Sequence, residues 1–359
     1  MIQKKLLLLG LFWLMWGAVL AQTNPILQDA LGYFNRGQIN LALDSLTDAN
    51  ISKMGKDQVN AYRLKVLCLL FLNQQTEAEQ AMSNLLGKEP SFEPSESDSP
   101  EFKAFWALFR REPILRLGVR GGANYSQINV LKRFSVGNEA DANETYEGAV
   151  GWQVALTSDI RLPISLLALG LEVGAAGTSY DYTERDLVGF ATTTFKEEQI
   201  HLNIPVFLRF NLPLHSAYEP YLQAGATYNY LLQSKLTRVR REDLLSGDTG
   251  GQRIVTPTNE ISLKDQRQLS TPSLMLGAGF KLDQFNSKFA ILVDARVNIG
   301  MTNRVVEAKR AANLEMLYDY GYIDNDMKIN TFELSVGFLY NQYQHKIPNR
   351  TKRRLNMAR

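Results

Sequence analysis

The 359-residue chain is long enough for two domains of ordinary size, and 39 basic against 37 acidic residues leave a net charge of only +2. That balance, without a clustered basic face or a phosphate-binding glycine motif, argues against nucleic acid as a partner. The single cysteine, Cys68, excludes an internal disulfide framework and a cysteine-based zinc site, and inside the apolar run Val66 to Leu72 it reads as a small buried hydrophobe.

The chain opens with a targeting pattern. Lys4 and Lys5 precede the apolar stretch Leu6 to Leu20, and Val19-Leu20-Ala21 puts small residues at a cleavage position. Residues 1–21 therefore read as a signal peptide, because the stretch is shorter than the about 20 apolar residues of a spanning helix. No second long apolar run follows, so any further membrane contact has to come from strands.

From Asn24 to Leu108 the period is helical. Leu27, Ala30, Leu31 and Phe34 mark one face; Ala61, Leu64, Leu67, Cys68 and Phe71 mark another, followed by Ala78, Ala81, Met82 and Leu85. The stretches Gly37 to Ala42 and Asn73 to Ala78 match each other and predict two helical hairpins. Their spacing is near that of tetratricopeptide helix pairs, with two units where arrays normally have at least about three. Pro94 to Pro100 reads as a polar linker, and Glu101 to Arg111 as a last short helix. Residues 22–111 thus form an expected periplasmic α-helical domain with its linker.

From Pro113 the period becomes two. Eight runs alternate apolar and polar residues, beginning with Leu115, Leu117 and Val119 against Arg116, Gly118 and Arg120, and ending with Phe332, Leu334, Val336, Phe338 and Tyr340 against Glu333, Ser335 and Gly337. An even number of strands fits an all-β transmembrane barrel of eight antiparallel strands over residues 112–342. A soluble barrel also alternates, with the apolar set inside. Three features favour the membrane form. The polar set is crowded with glycine, such as Gly118, Gly122, Gly170, Gly225 and Gly279, which suits a narrow interior. The apolar set carries Tyr125, Trp152, Tyr228 and Tyr230 toward one interface and Phe210, Phe280, Phe289 and Tyr340 toward the other, as aromatic girdles would. Short connections at Leu162 to Leu166, Leu212 to Pro220 and Asp283 to Ser287 alternate with four expected long ones, including Ile128 to Glu147, Gln233 to Thr271 and Thr302 to Met327. Residues 343–359 read as a basic periplasmic tail carrying Lys346, Arg350, Lys352, Arg353 and Arg354.

The inward set carries both signs: Arg116, Arg120, Arg161, Arg209, Lys281 and Arg296 against Asp159, Glu172, Asp294 and Glu333, with His201 among them. In a lumen of eight strands these groups have to pair, and paired they form a structural polar plug. No catalytic, cofactor-binding or metal-ligating set emerges. His201 has no legible serine and carboxylate partners, and no serine sits in a nucleophile motif.

Asp98-Ser99-Pro100-Glu101-Phe102, Leu117-Gly118-Val119, Gly122 to Ser126, Leu202 to Phe210, Pro220 to Gly225 and Ser335 to Phe338 together resemble the PorT-type outer-membrane β-barrel proteins of Bacteroidetes, including members with a tetratricopeptide-like segment ahead of the barrel. The resemblance covers most of the chain and carries no catalytic residue. It implies an outer-membrane location, lipid around the barrel, and for some relatives service in a secretion system. Three readings stay open: a non-enzymatic barrel anchoring a periplasmic protein-interaction module for secretion or envelope assembly, a small passive porin, and a barrel enzyme acting on lipid.

Overall fold

A computed structural model describes residues 24–110, 112–136, 143–164, 166–186, 190–212, 218–244, 251–257, 260–285 and 288–347. The predicted signal peptide and the basic residues of the tail beyond Ile347 lie outside the described residues. The chain divides into two compact units, one comprising residues 1–112 with 343–359 and the other residues 113–342.

The first unit is helical: α1 (Pro25–Asn35), α2 (Ile39–Ser45), α3 (Asp48–Ser52), α4 (Gln58–Phe71), α5 (Gln75–Lys88) and α6 (Pro100–Ala107). Asn24 starts α1 by accepting the Ile26 N–H at 3.0 Å, with Pro25 in the first turn, where its missing N–H costs nothing. The matched stretches build the same turn twice. Gly37 (φ 73°) and Asn73 (φ 56°) take the left-handed conformation that glycine and asparagine tolerate best. Gln38 N–H then bonds back to Tyr33 O, and Gln74 N–H to Leu69 O, each at 2.9 Å. Ala42, Ala61, Ala78 and Ala81 are buried, so small side chains let the helices approach. Leu46, Ile51, Met82, Leu85 and Phe102 fill the core between them.

Two expectations about this unit change. The segment 94–100 is an ordered turn: Asp98 accepts the Ser95 N–H at 2.8 Å and pairs with Arg63, whose Nε lies 2.8 Å away. Ser99 then caps α6 through the Phe102 N–H, which aims Phe102 into the core. The tail also begins as packed structure. Ile347 is buried in the helical core, and Arg110 N–H bonds to Lys346 O at 3.4 Å. The signal for it in the sequence is Ile347 itself, an apolar residue among the charges that follow the last strand.

The second unit is a closed barrel. Its staves are β1 (Leu115–Lys132), β2 (Asn143–Arg161), β3 (Leu167–Asp186), β4 (Ala191–Asn211), β5 (Tyr218–Leu244), β8 (Ser270–Phe285), β9 (Phe289–Gly300) and β10 (Asp326–Gln342), all paired antiparallel, with β1–β10 and β4–β5 completing the ring. Two short strands, β6 (Gln252–Val255) and β7 (Ile261–Ser262), pair with the far part of β5. The burial pattern is inverted relative to the helical unit. Along β1, Leu117, Val119 and Tyr125 are exposed while Arg116, Arg120 and Asn124 are buried. The eight aromatic residues predicted for the girdles all lie on the outward, exposed face.

The connections differ from expectation at one end. The β3–β4 connection is only residues 187–190, and β1–β2 only 133–142, because the strands themselves run on. A membrane stave needs about 9–11 residues, whereas β4 has 21 and β5 has 27. The surplus stands beyond the belt as a barrel extension. There the outer face no longer meets lipid and the inward face turns apolar: Tyr180, Tyr182, Phe195, Leu236 and Val239 form a second core. The 301–325 connection carries the short helix α7 (Leu314–Tyr318) and packs Met316, Tyr320 and Tyr322 into that core.

Candidate functional site: a polar network in the lumen

Inside the belt, every stave contributes to one polar network. Asp159 on β2 pairs with Arg209 on β4 and lies 3.6 Å from the Lys281 ammonium on β8. The Arg209 Nη2 donates to Gln223 Oε1 on β5 at 2.9 Å, and Gln223 Nε2 donates to Asp294 on β9 at 2.8 Å. Arg296 joins Asp294 (2.6 Å) to Glu172 on β3 (2.7 Å), and Arg120 on β1 bonds the same Glu172 carboxylate at 2.8 Å. Arg120 also donates to Ser335 on β10 at 3.2 Å, while Glu333 accepts from Asn298 at 2.7 Å. At the end bearing the short turns, Glu219 lies 2.6 Å from Arg116 and 3.8 Å from Lys281.

Aromatic rings pack between the charges. Phe207 and Tyr221 are almost fully buried in the lumen, and the Arg209 guanidinium sits 4.3 Å from the Tyr221 ring centre. The room for them comes from glycine: a Cβ at Gly170 would collide with the Phe207 ring, and one at Gly279 with the Tyr221 hydroxyl. Charges removed from water are tolerable only when their hydrogen-bonding capacity is met, and here cation faces, carboxylates and amides interlock across the bore.

Of the predicted inward residues, Arg116, Arg120, Asp159, Glu172, Arg209, Lys281, Asp294, Arg296 and Glu333 lie in this network, and Arg161 is half-buried. His201 is buried farther toward the long-connection end. Its Nε2 lies 3.0 Å from Gln199 Oε1, which leaves that nitrogen as the donor because Gln199 spends its own amide N–H on Glu197. Among the described residues no serine hydroxyl bonds the imidazole, and no group of metal-ligating side chains is present. Glu219, Phe207 and Tyr221 are members that alternation alone did not single out, whereas Gln223 stands on the polar side of its run, opposite Leu222 and Ala224. Glu219 and Gln223 lie at the start of β5, on either side of Tyr221.

A second polar knot closes the far end. Arg267, just past β7, reaches Glu197 on β4 through Nε (2.9 Å) and Nη2 (2.7 Å). Its Nη1 lies 2.8 Å from Asp324 in the last connection, an ion pair set off the hydrogen-bond line. Glu197 also accepts from Ser234 at 2.8 Å, and Tyr322 donates to Asp324 at 2.9 Å. Burial raises the Asp324 carboxyl above its ordinary range, against the pull of Arg267. The knot pins the final connection onto the barrel wall beside the ring cluster of Tyr182, Phe195 and Tyr322, whose centroids are 4.6 to 5.0 Å apart. These residues come from long connections and strand ends, where no period marks them.

A family model described as "Outer membrane protein beta-barrel domain" matches residues 111–305, in agreement with this architecture. No curated protein matches. Similar solved structures include Neisserial surface protein A, with 15% identity over 63% of this chain and 96% of that one and a TM-score of 0.29. OprG from Pseudomonas aeruginosa shows 14% identity over 65% and 98%, TM-score 0.34. The outer membrane protease OmpT from Escherichia coli shows 9% over 63% and 96%, TM-score 0.28.

Proposed function

The chain belongs to the outer-membrane β-barrel domain family, and from that premise we propose that its barrel is a non-enzymatic anchor holding a helical protein-interaction module on the periplasmic side. The observation that carries this reading is the network joining all eight staves across the bore. Paired side chains along Asp159–Arg209–Gln223–Asp294–Arg296–Glu172–Arg120 occupy the bore, and the Arg267 knot adds a second set toward the far end, which supports a non-conducting barrel. The connections support the orientation: short turns belong to the periplasmic end of such barrels. Both chain passages out of the barrel, before Leu115 and after Gln342, leave at that end.

The resemblance to PorT-type proteins makes secretion or envelope assembly the setting we favour, with a periplasmic protein as the partner of the helical unit. Paired helices with exposed polar faces commonly bind peptides or partner helices. The test is twofold. In planar bilayers the full-length protein should give no steady conductance, and in intact cells a crosslinker confined to the periplasm should join the helical unit to a discrete partner. A steady open channel would instead establish the passive-porin reading. Labelling of the helical unit from outside intact cells would reverse the orientation.

A further inference from the structure

A hollow interrupts the outward face of the barrel. It has a volume of about 620 Å³ and is lined by outward residues of β8, β9, β10, β1 and β2, with the inward-phase Asn124, Gly277, Arg296 and Glu333 between them along its bottom. Register explains the shape. One row of neighbours reads Ala123, Leu334, Ala295, Ala278 across four staves. The next row, farther from the short turns, reads Tyr125, Phe332, Val297, Leu276. Short alanines thus form a floor with an aromatic and aliphatic wall beside it. The hollow is continuous with the surface that meets the membrane, and it presents apolar side chains where hydrocarbon is the solvent.

Above it stands a cation. Lys328 on β10 is four residues from Phe332 and has the same outward phase, since Met327 and Ile329 on either side are buried. Among the described residues no acidic side chain pairs with its ammonium. Four residues of strand span about 13 Å, which at a tilt of about 40° is roughly 10 Å of height. That is headgroup depth, which a lysine reaches by laying its stem on apolar surface and its ammonium in the polar layer. On the β2 side the rim carries exposed Glu147, so an anionic group is favoured over β10 and repelled over β2.

We propose that this hollow retains one lipid of the leaflet farther from the short turns, with an acyl chain on the alanine floor and an anionic phosphate headgroup on Lys328. The outward side chains of the floor are apolar, and the polar residues that reach its lining, Asn124, Arg296 and Glu333, spend their side chains on partners inside the barrel; Lys328 stands at the height of a lipid phosphate.

The test is native mass spectrometry of the full-length protein, released from detergent after exposure to equimolar phosphatidylglycerol and digalactosyldiacylglycerol bearing the same chains. The expected result is one retained lipid per chain, with phosphatidylglycerol favoured about fivefold, as one lysine at a membrane surface allows. In K328Q the lipid stays and the headgroup preference disappears. In A278F/A295F, which fills the floor, both lipids are lost while the heat-dependent gel shift of a folded barrel is kept. The proposal is overturned by a wild-type protein that retains no lipid, retains both lipids equally, or appears as a dimer in place of the lipid adduct. Unchanged retention in A278F/A295F overturns it as well.

Discussion

The barrel and the helical unit obey the same rule with opposite results. In the helical unit Leu46, Ile51, Ala78 and Phe102 are buried and charges such as Lys65 and Asp48 pair at the surface. In the barrel Leu117, Val119 and Phe338 are exposed, while Arg209, Lys281 and Glu172 are buried. The difference teaches what each interior is stabilised by. An apolar core needs shape and volume, and a deletion there costs in proportion to the space it leaves. A charged core needs every partner, because a single deletion strands an ion where water cannot reach it.

The largest expected effect follows from that asymmetry. Arg209→Ala leaves Asp159 with Lys281 at 3.6 Å as its remaining ion pair, and opens space beside Tyr221. The loss should be about 3–5 kcal/mol, read as a fall in the urea midpoint of the folded barrel in lipid vesicles. Combining Arg209→Met with Asp159→Asn should recover part of it, since the stranded charge is then gone. If the single variant is as stable as wild type, the network is a passive filling and the comparison fails. By contrast Lys65→Ala, which breaks an exposed pair, should shift stability by no more than about 0.5 kcal/mol.

Next in size is the apolar core. Phe102→Ala removes a fully buried ring next to Phe92, at 6.3 Å between centroids. The helical unit should lose about 3–4 kcal/mol, with the barrel's gel shift unchanged. Cys68 supplies the readout. It is the chain's single cysteine and is buried in the helical core, where burial pushes its thiol up to about 11. Maleimide labelling of Cys68 in the intact protein should accelerate sharply in the variant. Equal labelling rates would show that Phe102 does not hold the unit together.

How much of this was legible in the sequence depends on where a period exists. Within the belt the two-residue alternation separates Arg116, Arg120, Glu172 and Arg296 from Leu117, Val119, Leu171 and Val297, because lipid on one side and a narrow bore on the other enforce opposite chemistry on alternate residues. Past the belt that constraint ends. Tyr180 and Tyr182 keep the inward phase of Glu172 and Thr178 on β3, so the face that is polar inside the belt turns apolar beyond it. In the sequence that change looks like the end of a strand, and the connection that remains is only 187–190. Glu197, Arg267 and Asp324 meet only through folding, since each comes from a different part of the chain and none stands in a repeating pattern. The repeat in the helical unit was visible for a physical reason: Gly37 and Asn73 both occupy the left-handed turn.

That turn gives a smaller effect. Asn73→Val forces a β-branched side chain into φ 56° and should cost about 1–2 kcal/mol, whereas Asn73→Gly should be close to neutral. Cys68 labelling would rank the two. If both variants label alike, the turn relaxes around the substitution and the match between the two hairpins is one of sequence alone.

The smallest effect is a pH dependence that the barrel interior should not share. His345 is buried where the tail meets the helical unit. Its Nδ1 donates to Arg110 O at 3.2 Å, and its ring stacks on Tyr343 at 5.2 Å. Burial pushes its pKa below the ordinary histidine value, and the bond to Arg110 O only partly opposes this. Arg110 and Lys346 line the adjoining groove with Glu79, so a proton on the ring would add a third positive charge there. The folded state therefore binds this proton more weakly than the unfolded chain does. The contribution to stability is complete above the unfolded pKa of about 6.5 and declines as pH falls toward the lower folded value. Cys68 labelling, normalised at each pH to the unfolded protein, should thus rise between about pH 7.5 and 5.5 in the wild type and stay flat in His345→Phe. A rise of equal size in both would assign the acid sensitivity to another group, and the packed tail would have no part in it.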